Sequence, residues 1–281
     1  MSNPALNDKV FQRETAANGG SFAPGWAAPG TDAGAAGTAL PPAPTAAADV
    51  MRLGGTITAS AILLLFLVIG GWFGWQEVTV VTSKAVDGSI STAVDMPPWL
   101  WLSWIAGFGL AIVTIFKPAI ARITAPLYAV AEGLLLGAIS HIFDAQWNGI
   151  VLQAVGLTIG VFVMVLVLYA TRVVKVTDKL RMGIFAATGA ICIVYLVSIL
   201  FSFFGASVPM IHDAGPVGIA FSLVVVGVAA MNLLLDFDFV ERGVAMRAPR
   251  YMEWFAAFGL MLTLVWLYLE ILRLLAKLRS R

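Results

Sequence analysis

The sequence predicts an all-α polytopic membrane protein, a bundle of seven transmembrane helices with the last helix at its centre. Three observations predict it. Of 281 residues, 60% are hydrophobic and only 12% charged, where a soluble domain carries roughly 25% charge. Mean hydropathy is +0.91. Seven apolar runs each approach the roughly 20 residues that a helix needs to cross a hydrocarbon core of about 30 Å.

The chain divides into residues 1–50 and a membrane domain, 51–281. The first part, as in "GTDAGAAGTALPPAPTAAAD", has no apolar stripe to offset the entropy of ordering it. It reads as a disordered cytoplasmic tail. It is not a secretory signal, because no short apolar core follows its basic residues. The first span, 53–75, starts after Arg52 and acts as the first anchor. The second, 98–116, is announced by "MPPWLWLSW", a proline pair and an interfacial tryptophan cluster. The third, 124–143, follows "KPAIARITAP" and carries Gly133 and Gly137, whose four-residue spacing permits close helix approach. The fourth is 149–171. The fifth, 182–205, holds Cys192, the single cysteine, so no disulfide can form within the chain. The sixth, 216–237, opens at Pro216, where a missing N–H costs nothing. The seventh, 254–278, contains "AAFGLMLTLVWLYLE". A lipid-facing helix has no use for its small residues, Thr263 and Glu270, which places it centrally.

Orientation follows from Lys and Arg in short loops. One side carries Lys117, Arg122, Arg172, Lys175, Lys179, Arg181, Arg242, Arg247 and Arg250, the other only Lys84. The tail is therefore expected in the cytoplasm and the C-terminus outside a cell (inner or plasma) membrane. The basic end "RLLAKLRSR" pulls the other way. A formal net charge of +1 gives no reason to expect nucleic acid.

Acids inside spans are expensive and mark function. Glu132, Asp236, Asp238, Glu253 and Glu270 are the candidates. Asp236 and Asp238, in "LLLDFDFVER", lie about 200° apart on a helix and cannot pair with each other. Asp238 precedes Arg242 by four residues and reads as a water-facing interfacial ion pair. Asp236 shares a face with Asn232 and should look into the bundle. Glu270 either pairs with Arg273 one turn on or faces Asp236 across the bundle. Two carboxylates in low dielectric cannot both ionise cheaply, so that second arrangement would share one proton and act as a latch. Glu132, beside Gly133, reads as buried against a neighbour or as a protonated, hydrogen-bonded acid.

"AEGLLLGAIS" in the third span, "LLLDFDF" ending the sixth and "LYLEILRLL" in the seventh together resemble the Bax inhibitor-1-like membrane family, over residues 51–281. The resemblance implies a seven-helix bundle with the last helix surrounded. It also implies a pH-sensitive calcium leak with a carboxylate-pair sensor between helices six and seven. By position the pair is Asp236 and Glu270, with Glu in place of Asp. The second span here lacks an acid that family members can carry. Lys117 and Arg122 stand near the family's latching arginine without aligning to it. Depth alone pairs Asp236 with Glu253. The motif pairing holds only if helix six runs on past Asp236 and helix seven begins in the cytoplasm.

The leading expectation is a proton-gated calcium (cation) leak channel, with the lipid bilayer, calcium ions and protons as its partners. The alternative is a regulatory protein that binds and modulates a membrane protease or cell-death and stress machinery, a role to which the tail is suited. An enzyme is not expected. No Gly-x-Gly-Asp, His-Glu-x-x-His or Gly-x-Ser-x-Gly occurs, and His141 and His212 are isolated. No cofactor is expected.

Overall fold

The structure is a computed structural model that describes residues 50–84, 90–203 and 215–280. Residues 1–49 of the expected 1–50 tail, and His212, lie outside the described residues. Seven helices follow in order: α1 (Leu53–Glu77), α2 (Trp99–Phe116), α3 (Ala121–Gln146), α4 (Ile150–Ala170), α5 (Asp178–Phe203), α6 (Pro216–Ala245) and α7 (Met252–Arg279). Each is long and apolar enough to cross a membrane, and the chain is a multi-pass membrane protein. A 3₁₀ turn, Pro118–Ile120, leads into α3.

α7 is the hub. It packs against α1, α3, α4 and α6. In its apolar stretch 72% of residues are buried, against 22% in α1, α2, α4 and α5. Phe255, Phe258, Met261, Leu267 and Leu272 of α7 are among the largest fully buried side chains. The outer helices instead present Trp72, Trp101, Phe108, Leu152 and Ile193 outward. Such a surface suits hydrocarbon, since lipid leaves no reason to hide apolar side chains.

α1 and α3 meet along a glycine seam. A Cβ at Gly70 would lie 2.6 Å from the Val130 carbonyl oxygen, and one at Gly133 would lie 3.0 Å from the Gly71 nitrogen. At Gly137 it would overlap the Gly71 carbonyl group and come 2.8 Å from the Trp75 nitrogen. These neighbours are backbone and cannot step aside, so only glycine permits this approach.

A two-stranded antiparallel hairpin joins α1 to α2: β1 (Thr79–Lys84) pairs with β2 (Ile90–Asp95), from Thr79 opposite Asp95 to Lys84 opposite Ile90. The expectation of helices alone did not include it. Its β-branched runs "TVVTSK" and "ISTAVD" favour strands. Val78 and Val80 seat it on Leu100 of α2 and Ala138 of α3.

The bundle thus has two ends. The hairpin, the α3–α4 turn and the end of α7 form one. Residue 50 and the α2–α3, α4–α5 and α6–α7 turns form the other, the basic end. At the basic end Val50 bridges Pro249, and the Met51 N–H donates to the Ala248 carbonyl at 2.7 Å. α6 stops in a Schellman turn: Ala248 N–H donates to Gly243 O at 3.0 Å and Arg247 N–H to Val244 O at 3.1 Å. Arg247 holds the left-handed position of that turn, at φ 51°.

α6 extends eight residues past the expected edge at 237, because Asp238, Glu241 and Arg242 continue it as an ion-paired helix beyond the apolar run. The C-terminal bases, which argued against seven full crossings, are bound within the fold. Arg273 holds Glu270. Lys277 is buried and donates to Gly218 O at 3.0 Å and Ser222 Oγ at 2.9 Å. Arg279 donates to Asn148 O and Gln153 Oε1, each at 2.9 Å.

Candidate functional site

Three of the five candidate acids, Asp236, Asp238 and Glu270, lie where α5, α6 and α7 adjoin. Asp236, 2% exposed, is on the α6 face that meets α7. Its carboxyl lies within hydrogen-bonding reach of the Thr263 hydroxyl of α7, which is also directed at the Gly259 carbonyl at 3.3 Å, and Oδ2 is buried with no hydrogen-bond partner among the described residues. The inward orientation matches the sequence reading.

The expected Asp236–Glu270 pair is not formed. Asp236 stands nine residues before the end of α6, and Glu270 eighteen after the start of α7. At 1.5 Å per residue they lie about 14 Å and about 27 Å from the α6–α7 turn. α6 does run on past Asp236, as the pairing required, but too briefly to bring the two carboxyls level. Thr263 is the α7 residue at the right height.

Glu270 takes the other arrangement weighed from the sequence. It is 2% exposed, and its Oε1 accepts from Arg273 at 2.7 Å and from the Tyr195 hydroxyl of α5 at 2.8 Å. Arg273 also donates to the Tyr195 oxygen at 2.8 Å, and its guanidinium lies 5.2 Å from that ring's centre. Glu270 Oε2 is buried with no hydrogen-bond partner among the described residues.

Glu253 pairs with neither candidate. It is buried at the start of α7 and accepts the Arg52 backbone N–H at 2.9 Å, with its carboxyl packed against Gly55. A carboxylate at the amino end of α1 satisfies an orphan donor and the helix dipole together. Its role is to fasten α1 to α7.

Asn232 is buried, but its amide donates to Thr188 of α5 at 2.8 Å and to Val228 O at 2.9 Å, so it does not serve Asp236. Asp238 makes the expected bond to Arg242, at 3.0 Å, and a second ion pair to Arg181 of α5, also 3.0 Å. At 16% side-chain exposure it is enclosed between two bases rather than open to water, a correction explained by Arg181, which was expected only as a loop charge. Glu132 is half-buried and hydrogen-bonded to Tyr128 one turn back, and its Oε2 faces Gly107 of α2. Lys117 and Arg122 lie exposed at the α2–α3 turn. Asp236's described polar partner is Thr263, so neither base latches it here.

Thr188 and Tyr195 were missed. Their seven-residue spacing puts both on one face of α5, which is the signal that could have found them. Across the membrane the buried polar groups then form steps: Glu253, Asp236 with Thr263, Asn232 with Thr188, Glu270 with Arg273 and Tyr195, and Lys277 with Ser222. Among the described residues no cluster of three or more His, Cys, Asp or Glu could hold a metal.

A family profile described as Bax inhibitor 1 like matches residues 3–280, a wider range than the 51–281 read from the sequence. Nothing matches among curated proteins or among solved structures.

Proposed function

The chain belongs to the Bax inhibitor 1 like family, and from that premise we propose that it is a proton-regulated cation leak, with calcium as the ion that the family resemblance suggests. Asp236 is the group whose protonation sets the flux. One observation carries the reading: a carboxyl that is 2% exposed, with one oxygen unpartnered among the described residues and a threonine, not a base, beside it there.

An ionised carboxylate in such a place lacks a counter-charge, and burying a lone charge is costly. Losing its proton therefore favours a conformation that admits water or a cation between α6 and α7. Regaining the proton favours the dry, packed arrangement. The reading is non-enzymatic, since no motif supplies a nucleophile or an acid–base pair. Gating through a shared carboxyl pair gives way to gating through a single acid with a hydroxyl partner.

The test is reconstitution into liposomes loaded with a calcium dye, with flux followed from pH 5 to pH 9. The expected result is flux that rises with pH in wild type and stays low and flat in Asp236→Asn. Liposomes that stay sealed at every pH would overturn the leak and favour the regulatory reading, in which the chain modulates a membrane protease.

A further inference from the structure

We infer that Arg273, held in place by Glu270 and Tyr195, binds the phosphate of an anionic phospholipid at the hairpin end of the bundle. The site is independent of whether the chain conducts ions. A guanidinium carries five N–H donors. Arg273 uses only its Nη1 group, on Glu270 Oε1 at 2.7 Å and on the Tyr195 oxygen at 2.8 Å. Its Nε and Nη2 have no hydrogen-bond partner among the described residues. Glu270's side chain is 2% exposed, whereas Arg273's is 41% exposed. The bonded edge is thus inside the bundle, and the exposure falls on the rest of the group.

That open edge has the right shape. Nε–H and one Nη2–H point the same way along the planar group, which meets two phosphate oxygens at once. Two hydrogen bonds and the Tyr195 ring, 5.2 Å from the guanidinium, fix the plane in advance. Less side-chain freedom is then lost when a ligand arrives. Glu270 offsets one charge, but Lys277 and Arg279 follow on the same helix. Three bases against one acid at this end of α7 favour an anionic lipid over a zwitterionic one.

Depth in the bilayer selects a lipid over a free anion. Arg273 lies six residues before the end of α7, about 9 Å at 1.5 Å per residue. The 28 residues of α7 span about 42 Å, more than a hydrocarbon core of about 30 Å. Arg273 therefore sits near the border between acyl chains and headgroups, where phosphate is plentiful and water is not. Leu262, Trp266 and Leu269 precede it at helical spacing and are likewise half-buried. They continue the exposed side of α7 toward the middle of the membrane as an apolar strip. Trp266 packs beside Ile191 of α5 and Val225 of α6, so the strip lies on the side of the bundle that α5 occupies. An acyl chain on the strip would hang from a phosphate on Arg273.

The experiment follows thermal unfolding of the full-length protein in neutral detergent across titrations of phosphatidylglycerol, phosphatidylcholine and sodium phosphate. Wild type should show a saturable rise in Tm with phosphatidylglycerol, worth about 100-fold in the folding equilibrium at roughly 100 times the Kd. Phosphatidylcholine should require about tenfold more, and sodium phosphate should give no saturable rise. Arg273→Gln should lose the response. Lys175→Gln, which removes an exposed base at the opposite end, should keep it.

No response in wild type, an unchanged response in Arg273→Gln or an equal loss in Lys175→Gln overturns the site. An equal response to phosphatidylcholine overturns the anionic lipid, and a saturable response to sodium phosphate overturns the lipid in favour of a free anion. If Arg273→Gln does not fold, Glu270→Gln/Arg273→Gln removes both charges of the pair and takes its place with the same expectations. Arg273→Lys keeps the charge but not the planar fork and should bind about tenfold more weakly. Binding as tight as wild type in that variant overturns the two-oxygen contact.

Discussion

Asp236 and Asp238, two residues apart on α6, occupy opposite electrostatic settings. Asp238 is clamped between Arg181 and Arg242 at 3.0 Å each, whereas among the described residues Asp236 has the Thr263 hydroxyl beside it and Oδ2 without a hydrogen-bond partner. The helix turns by about 200° between them, so one faces bases at its polar end and the other faces α7. Cation flux should therefore lose its pH dependence in Asp236→Asn and keep it in Asp238→Asn, as measured with calcium dye in liposomes. The second change should instead lower stability by about 1–3 kcal/mol, because it leaves two half-buried guanidinium groups under-paired.

The glycine seam gives a stability prediction. Gly137→Ala should lower stability by about 1–3 kcal/mol or more, since its Cβ would meet Gly71 and Trp75 backbone. Gly109→Ala, with nothing within 4 Å of its Cβ, should leave stability unchanged or raise it by up to about 1 kcal/mol. Thermal unfolding of the two purified variants in the same detergent distinguishes them.

Arg247→Gly should stabilise the protein by about 1 kcal/mol. Arg247 is exposed and sits at φ 51°, where a side chain costs roughly 1–2 kcal/mol and glycine nothing, less the entropy glycine adds to the unfolded chain. A chemical denaturation midpoint that falls would count against this account of the turn.

Topology is testable by membrane-impermeant thiol labelling in a Cys192→Ala background. A cysteine at Ser280 should label from outside the cell, and one at Arg247 only after the membrane is opened. Labelling of both from the same side would contradict the two ends of the bundle described above.

Much of the fold was legible because the membrane imposes a length rule. The seven spans, and the central seventh with its Thr263 and Glu270, follow from apolar runs and from small or polar residues placed within them. The GxxxG spacing of Gly133 and Gly137 identified one half of the α1–α3 seam; Gly70, Gly71 and Gly74 supplied the other. The acid partners were less legible. Asp236 and Glu270 were joined by motif order, but height along two antiparallel helices is set by distance from the turn, and nine residues against eighteen leaves the two carboxyls out of reach. Tyr195, and Arg181 as the partner of Asp238, escaped notice because a partner on another helix leaves no periodic trace on the first.

The Arg52–Glu253 bond joins residues 201 positions apart, and that distance bears on how the protein is made. At about 5–20 residues per second, α1 waits roughly 10–40 s in the bilayer before its amino end can be fastened. Its early companion is α3, which offers the glycine seam soon after insertion. The fastening at Met51, Val50 and Arg52 needs Ala248, Pro249 and Glu253, and so it comes with the last helix. The helix that fills the centre of the bundle is thus the last to be made, and the fastening of α1 waits for it.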